Sequence, residues 1–329
     1  MQIVRKLVFY LVALFVAVTL NFAIPRLLPG NPVDILLGKL AIQGPVAPET
    51  RRSLELLFGA DSSVSLWRQY VDYLHSLGSG DLGVSVTYFP TPVVTVIGSA
   101  LPWTLALVGL TTVITFAVGM VLGTIAGWRR GTWVDSLIPS TTVLNSLPYF
   151  WLALVLVYLL SVTAGVFPLG GGYDVRSTTP GLSWAFVGSA LYHGFLPALT
   201  IVISSIGAWI LGMRNMMVST LSEDYVITAE AKGLSPLRIM ITYAARNAAL
   251  PSLAGFAISL GFVVAGSVVM EQVFSYPGIG NAFLLAVQNN DYALMQGLFL
   301  VITIAVLGAN LIVDLLYQFI DPRTRARAE

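Results

Sequence analysis

The sequence predicts an all-α integral membrane protein with about six transmembrane helices. Hydrophobic residues make up 56% of the 329 residues and charged residues only 10%, whereas soluble domains are about 25% charged. The mean hydropathy of +0.83 agrees with a largely lipid environment. A helix needs about 20 apolar residues to cross about 30 Å of hydrocarbon. Six uncharged runs are that long: 7–25, 93–128, 136–173, 177–213, 247–270 and 292–313.

Composition also excludes several classes of function. The chain has no cysteine, and His75 and His193 are its only imidazoles, so thiol chemistry and most metal centres are excluded. The net charge of +1 leaves no footprint for nucleic acid. No Gly-rich phosphate loop is followed by Lys, so the sequence predicts no ATP site, and we expect no catalytic, cofactor-binding or metal-binding residues in this chain.

The first element, 1–29, is expected to be an N-terminal transmembrane helix. Its apolar stretch follows Arg5 and Lys6, exceeds the usual length of a signal-peptide core and shows no small-residue cleavage site. We therefore interpret it as a retained anchor. The polar segment 30–92 is predicted to be an extracytoplasmic insert of short helices, and 93–329 to be the core transmembrane domain.

Orientation follows from the basic residues. With the N-terminus inside, eleven of the 17 Lys and Arg fall on the cytoplasmic side and six outside, as the positive-inside rule favours. Both termini are therefore expected in the cytoplasm of a prokaryotic cell, at its inner membrane.

A turn is expected at 167–172, and an extra interfacial or spanning piece near 182–192 is left open. Glycines at 119, 123 and 127 predict close helix packing.

The longest inside segment, 214–250, is predicted to form two short helices. Ser222 is a good N-cap for the first helix, Glu223 and Asp224 suit its first turn, and Lys232 its last. Gly233 fits the left-handed position after it. Ser235 and Pro236 then begin a second helix that ends before Pro251. The spacing of its apolar residues predicts one buried face: Leu237, Met240, Ile241, Ala244 and Ala248.

Two interpretations of this segment stay open at the level of composition. Its helices could lie on the membrane surface as solvated amphipathic helices. Alternatively, the small Ala229 and Ala231 and the glycine turn would let a partner groove approach the backbone closely.

The loop resembles the cytoplasmic motif of ABC-importer permeases. The usual motif is Glu-Ala-Ala, three residues and Gly, whereas this chain has Ile227-Thr228-Ala229 before Gly233, and Pro251 follows after a longer interval. The run from Asp224 to Leu234 is similar to the oligopeptide/dipeptide branch. Further motifs of that branch follow the family's order: 24–32, Gly80-Asp81-Leu82-Gly83-Val84-Ser85, 271–280, and 310–317 with Asp321-Pro322-Arg323.

The resemblance implies a type I ABC-importer permease fold and the B-type member of a permease pair. It further implies a second homologous permease, two cytoplasmic ATPases that hold ATP and Mg²⁺, and an extracytoplasmic substrate-binding protein. The residues expected to form the ATPase-coupling loop are Asp224, Tyr225, Thr228, Ala229, Ala231, Lys232, Gly233, Leu234, Arg238, Arg246, Asn247 and Pro251.

A second group of residues has two possible roles outside the membrane. Asp81, Glu271, Tyr276 and Asp291 are candidates for contact with the binding protein or for an outer gate. Glu271 and Asp291 could equally be solvated charges at the ends of the loop 271–291. Asp314, in the last span, is interpreted as an interfacial charge in preference to a proton-coupling carboxylate.

Substrate and mechanism keep alternatives. Peptide is the expected substrate, with oligosaccharides or another small solute such as nickel as the alternative for the same machinery. An ATP-independent secondary transporter is disfavoured because the spans lack mid-membrane ionisable groups. An intramembrane enzyme would need a catalytic constellation that the sequence does not show.

Overall fold

The computed structural model of the chain describes residues 2–42, 47–58, 64–136, 147–266 and 268–320. Helices are the main secondary structure of this described part, which also contains one isolated antiparallel bridge between Val84 and Pro92. The chain divides into two compact units. The first comprises Met1–Thr104, Val264–Val268 and Pro277–Glu329, and the second comprises Leu105–Val263 and Val269–Tyr276.

The helices are numbered in chain order. The first five are α1 (Gln2–Leu27), α2 (Pro32–Ala41), α3 (Pro48–Leu57), α4 (Leu66–Gly78) and α5 (Val93–Trp128, with a π-helical turn at Leu105–Gly109). The next four are α6 (Tyr149–Thr163), α7 (Trp184–Leu221), α8 (Asp224–Ala231) and α9 (236–248). The last four are α10 (Leu250–Phe262), α11 (Val268–Val273), α12 (Ile279–Gln288) and α13 (Tyr292–Ile320).

In its described residues, each of the six predicted runs contains an apolar helix. In the described residues, four helices are long and apolar enough to cross a membrane: Arg5–Leu27, Val93–Trp128, Trp184–Leu221 and Tyr292–Ile312. The two remaining runs hold the shorter helices α6 and α10. Part of the third run, 137–146, lies outside the described residues, as do Asp321-Pro322-Arg323 and the side chain of Asp314.

At the level of elements, the structure answers one open question and corrects one prediction. The segment near 182–192 is not a separate piece, because it is the start of α7, a single helix of 38 residues. At about 1.5 Å per residue this helix is about 57 Å long, far more than the hydrocarbon thickness. The segment 271–291 is not only loop, because it includes α12, whose buried face belongs to the core of the first unit.

The first unit is built around the start of α5 and the helices α12 and α13. Its largest core cluster joins Val96 and Ile97 of α5 to Ile279 of α12 and to Leu294 and Leu298 of α13. In the insert, three short helices form as predicted, and a small cluster holds α2 and α3 together through Val33, Leu36, Leu54 and Val86. Side-chain hydrogen bonds between Thr19 and Tyr70 at 2.8 Å and from Arg26 to Gln69 at 3.2 Å join α1 to α4 of the insert.

The second unit depends on the close approach of α5 and α7. A Cβ atom on Gly119 would lie 2.5 Å from Trp209 Cβ, and one on Gly123 would lie 2.6 Å from the Ile210 carbonyl oxygen. Gly127 is equally close to Met217. Real Cβ atoms are essentially never this close to such neighbours, so the predicted packing role of these glycines is confirmed.

Candidate functional site

The first helix of the candidate coupling loop begins one residue later than predicted. Helix α8 starts at Asp224, and Glu223 is its N-cap residue. Ser222 instead ends α7, and its hydroxyl donates to the Ser219 carbonyl at 2.8 Å. The predicted serine cap is therefore wrong, because the preceding helix uses that residue to close its own C-terminus.

The glycine turn has the predicted geometry. Lys232 is the C-cap of α8, and Gly233 follows with φ +72°. A Cβ atom on Gly233 would meet nothing within 4 Å, so the turn is open around the backbone. Ser235 and Pro236 then take the N-cap and first helical positions of α9, as predicted, and Pro251 is the second residue of α10, which begins at Leu250.

The buried face of α9 differs from the predicted one. Ala244 and Ala248 are buried, but Leu237 and Ile241 are exposed, and Ile239 is buried in their place. The reason is a π-helical segment at Ile239–Ala245, in which hydrogen bonds close over five residues instead of four. Burial therefore steps from Ile239 to Ala244, a spacing that a 3.6-residue period does not produce.

The predicted coupling residues divide by exposure. Ala229 is buried and Leu234 is partly buried. The exposed members of the set are Asp224, Tyr225, Thr228, Ala231, Lys232, Gly233, Arg238, Arg246, Asn247 and Pro251. The structure thus brings most of the predicted polar and small residues to the surface of one compact loop.

Within the second unit, two apolar clusters join the loop to α5 and α7. Val226, Ala229 and Ile239 pack together, with Trp128 of α5 and Leu221 of α7 against them. Ala244 and Ala248 pack with Met213 and Met217 of α7. Because both clusters include the end of α7, a displacement of the loop would be passed directly to a membrane-length helix.

Asp291, one of the predicted outer residues, is buried in a network of hydrogen bonds. Its Oδ2 accepts from the Ser85 hydroxyl at 2.5 Å and from the Thr87 N–H at 2.8 Å. Its Oδ1 accepts from the Leu294 N–H at 3.0 Å, in the first turn of α13. Asp291 therefore caps α13 and joins to it both Ser85, the last residue of the Gly-Asp-Leu-Gly-Val-Ser motif, and Thr87.

Asp81 lies at the surface of the same unit. It is exposed, and its Oδ1 accepts from the Gly83 N–H at 2.8 Å within a tight turn. Gly80 and Gly83 both have positive φ, which explains the two glycines of the motif. Asp81 and Asp291 belong to one unit but have different surroundings.

Glu271 and Tyr276 lie in the second unit and are buried. Glu271 has no exposed surface and Tyr276 is 4% exposed, so the interpretation of Glu271 and Asp291 as solvated charges is wrong. Burial, with the nearby Glu271 carboxyl, raises the pKa of the Tyr276 hydroxyl to about 12. The Gly171 N–H donates to the Phe274 carbonyl at 2.8 Å, which joins the predicted turn at 167–172 to this segment.

Two interactions between side chains that are far apart in the sequence were not predicted. Ser85 ends a motif whose sequence indicates no role for it, yet it is fully buried against Asp291. Arg214, at the end of α7, forms a two-pronged ion pair with Asp135, with N–O distances of 2.9 and 3.0 Å. Hydrogen bonding from Arg214 lowers the pKa of the Asp135 carboxyl. No local sequence signal joins these residues, which are 79 positions apart.

Comparison with known proteins agrees with the motifs. Residues 119–326 match the family described as the inner membrane component of binding-protein-dependent transport systems. The di/tripeptide transport system permease protein DppB of Pseudomonas aeruginosa is 33% identical over 98% of both chains. The dipeptide transport system permease protein DppB of Escherichia coli K12 is 30% identical over 99% of both chains. The chain therefore belongs to the family of inner membrane components of binding-protein-dependent transport systems, the ABC-importer permeases, and is a multi-pass membrane protein of the type I permease fold.

Proposed function

We propose that this chain is a permease subunit of an ATP-driven importer that carries peptides across the cytoplasmic membrane by alternating access. The observation that carries the substrate class is that relatives named as dipeptide and di/tripeptide permeases match 98–99% of the chain. Specificity in such systems also depends on the binding protein, so the proposal concerns small peptides as a class.

The proposed partners are a second homologous permease, two ATPases that hold ATP and Mg²⁺, and an extracytoplasmic binding protein. The loop from α8 to α9 is the proposed seat of an ATPase. Four exposed apolar side chains support this role: Tyr225, Ile227, Leu237 and Ile241. Exposed apolar residues concentrated on a loop favour contact with a protein partner.

The proposed coupling is mechanical. The loop is packed onto the ends of α5 and α7 through the clusters around Ile239 and Ala244. ATP-driven closure of the ATPases would move the loop, and α7 would carry that movement along its length into the membrane. This chain would contribute no catalytic group to the hydrolysis of ATP.

The proposal is tested with a glycine pair. Gly233→Val places a β-branched residue at φ +72° in the loop, and Gly165→Val places one at φ +64° in the segment after α6. Neither site has an atom within 4 Å of the added Cβ, so both variants carry similar backbone strain. Only Gly233→Val is expected to lose ATP-driven uptake of a labelled dipeptide and co-purification of the ATPases.

Equal uptake by the two variants would contradict the coupling role. Uptake of the dipeptide by this chain alone, without ATPases, would contradict the importer itself. Mass spectrometry of the gently purified protein gives the partner composition independently of any variant.

A further inference from the structure

A cavity of about 380 Å³ lies within the first unit, beside the insert. Its wall includes Arg26 from the last turn of α1, Tyr73 from α4 and Gln296 from the start of α13. Arg26 and Gln296 stand near the ends of the apolar spans Arg5–Leu27 and Tyr292–Ile312. This insert cavity therefore lies at the level where hydrocarbon gives way to the polar headgroups of a bilayer.

Three residues that line the insert cavity present hydrogen-bond donors. The Arg26 guanidinium lies 3.7 Å above the Phe22 ring centroid, donates to the Phe22 carbonyl at 3.0 Å and to Gln69 Oε1 at 3.2 Å. Among the described residues no carboxylate pairs with it. The Tyr73 hydroxyl and the Gln296 amide nitrogen are buried without a hydrogen-bond partner in the described part of the chain. Three such donors around one cavity favour an anionic group such as phosphate.

The wall of the insert cavity also carries negatively charged side chains. Glu55, Asp72 and Asp81 also line the insert cavity, so carboxylates outnumber the single guanidinium. Glu55 accepts from Arg51, and Asp81 accepts from the Gly83 N–H. A ligand with only an anionic group would meet net repulsion here. A ligand that also carries a primary ammonium would have both charges compensated.

The surface of α1 indicates which kind of ligand would carry an anionic group and a primary ammonium at the headgroup level of the bilayer. Val8, Val12 and Phe15 are exposed, and their spacing of four and three residues makes one apolar stripe on the helical face that also carries Arg26. A stripe of exposed apolar side chains on the same helical face as the guanidinium of a charged cavity suits an amphiphile. Acyl chains would lie along the stripe and the headgroup would enter the cavity.

We propose that the insert cavity binds the headgroup of an aminophospholipid. Its phosphate is held by Arg26, Tyr73 and Gln296, and its primary ammonium by the carboxylates that line the same cavity. The volume of about 380 Å³ falls in the range of sites that enclose a small ligand. Burial raises the pKa of Tyr73, so its hydroxyl keeps its proton and donates at neutral pH.

The test uses native mass spectrometry of the full complex after exchange into an equimolar mixture of three lipids. Phosphatidylethanolamine carries both groups, phosphatidylcholine has an ammonium that cannot donate hydrogen bonds, and phosphatidylglycerol has no ammonium. We expect phosphatidylethanolamine to be retained about tenfold more than the other two, the factor expected for one charge-assisted hydrogen bond. Equal retention of the three lipids would overturn the proposal.

The decisive variant is Tyr73→Phe. It deletes a hydroxyl that bonds to nothing in the described protein, so the fold should be unaffected or slightly stabilised, while retention should fall about tenfold. Arg68→Gln is the matched control, because Arg68 is an exposed residue of the same helix that does not line the cavity. Unchanged retention in Tyr73→Phe would overturn the proposal.

A free zwitterion has the same pair of charges, and a competition experiment distinguishes it from the lipid. Displacement of phosphatidylethanolamine by a millimolar dipeptide would overturn the lipid assignment in favour of a peptide subsite. Continued retention in the presence of dipeptide supports the lipid. Neither result depends on ATP-driven uptake, so failure here and failure of the proposed import are separable.

Discussion

At the scale of single residues, two aspartates of the first unit show how surroundings decide a role. Asp291 has no exposed surface and accepts three hydrogen bonds from Ser85, Thr87 and Leu294. Asp81 is exposed and accepts one, within its own turn. In the sequence the two residues received the same interpretation, because each is a lone acid in a segment predicted to be outside. Nothing local to Asp291 indicates a partner that lies 206 residues earlier.

The first prediction compares these two aspartates. Asp291→Ala leaves a buried hydroxyl and two buried N–H groups without an acceptor, at about 1–3 kcal/mol each. We expect it to lower the free energy of unfolding by about 3 kcal/mol or more, whereas Asp81→Ala should cost about 1 kcal/mol or less. Chemical denaturation in detergent micelles, followed by circular dichroism, measures both. Similar losses in the two variants would contradict the network.

At the scale of elements, α9 shows the limit of pattern reading. The apolar period of a regular helix predicts that Ile241 is buried, whereas in the structure Ile239 is buried and Ile241 is exposed. A π-helical segment shifts the register by one residue, and the side chains that it buries pack against α7 and Trp128. The glycine turn and the proline starts were predictable because a positive φ and a fixed φ have unique residue preferences.

The second prediction uses the same deletion at these two positions. Ile239→Ala removes buried methyl groups and should lower the free energy of unfolding by about 2–4 kcal/mol. Ile241→Ala removes exposed ones and should change it by less than about 0.5 kcal/mol. Thermal or chemical unfolding of the purified chain compares them.

The same two variants distinguish a role in the stability of the chain from a role in docking of the ATPase. Ile241→Ala should reduce co-purification of the ATPase if its exposed side chain is part of the docking surface. A large stability loss in Ile241→Ala together with a negligible loss in Ile239→Ala would restore the regular-helix register and contradict the π-helical segment.

The packing of α5 on α7 is an element-scale feature that the sequence did reveal. Glycines four residues apart align on one helical face, so their spacing alone predicts a close approach. The partner helix could not be predicted, because Trp209, Ile210 and Met217 give no pairing signal in the sequence.

The third prediction is that two Gly→Ala substitutions in these helices have opposite effects. At Gly123 the added methyl would lie 2.6 Å from a backbone oxygen of α7, and we expect a loss of about 1–3 kcal/mol from overpacking. At Gly212 on α7 it would meet nothing within 4 Å, and the better helix propensity of alanine should add up to about 1 kcal/mol. Unfolding of the purified chain in detergent measures both, and stabilisation by Gly123→Ala would contradict the close approach.

At the scale of the whole molecule, the fold class was predictable and the lengths of its parts were not. Lipid excludes charge from every span, so uncharged runs located six helices whatever their partners. A helix end that continues beyond the hydrocarbon has no such signal in the sequence. The extension of α7 by eight residues past the predicted run, to Leu221, therefore could not be predicted. That extension carries the candidate coupling loop, so the side of the membrane on which it emerges decides whether an ATPase can reach it.

The last prediction concerns that side. The chain has no cysteine, so single introduced cysteines report without background. Leu182, before α7, and Trp133, after α5, are both strongly exposed, and α6 lies between them in sequence. We expect an impermeant maleimide to label Leu182→Cys in intact spheroplasts and Trp133→Cys only after permeabilisation. The reverse pattern would contradict the eleven-to-six distribution of basic residues and would place α8 and α9 outside the cell, where no ATP-driven partner could bind them.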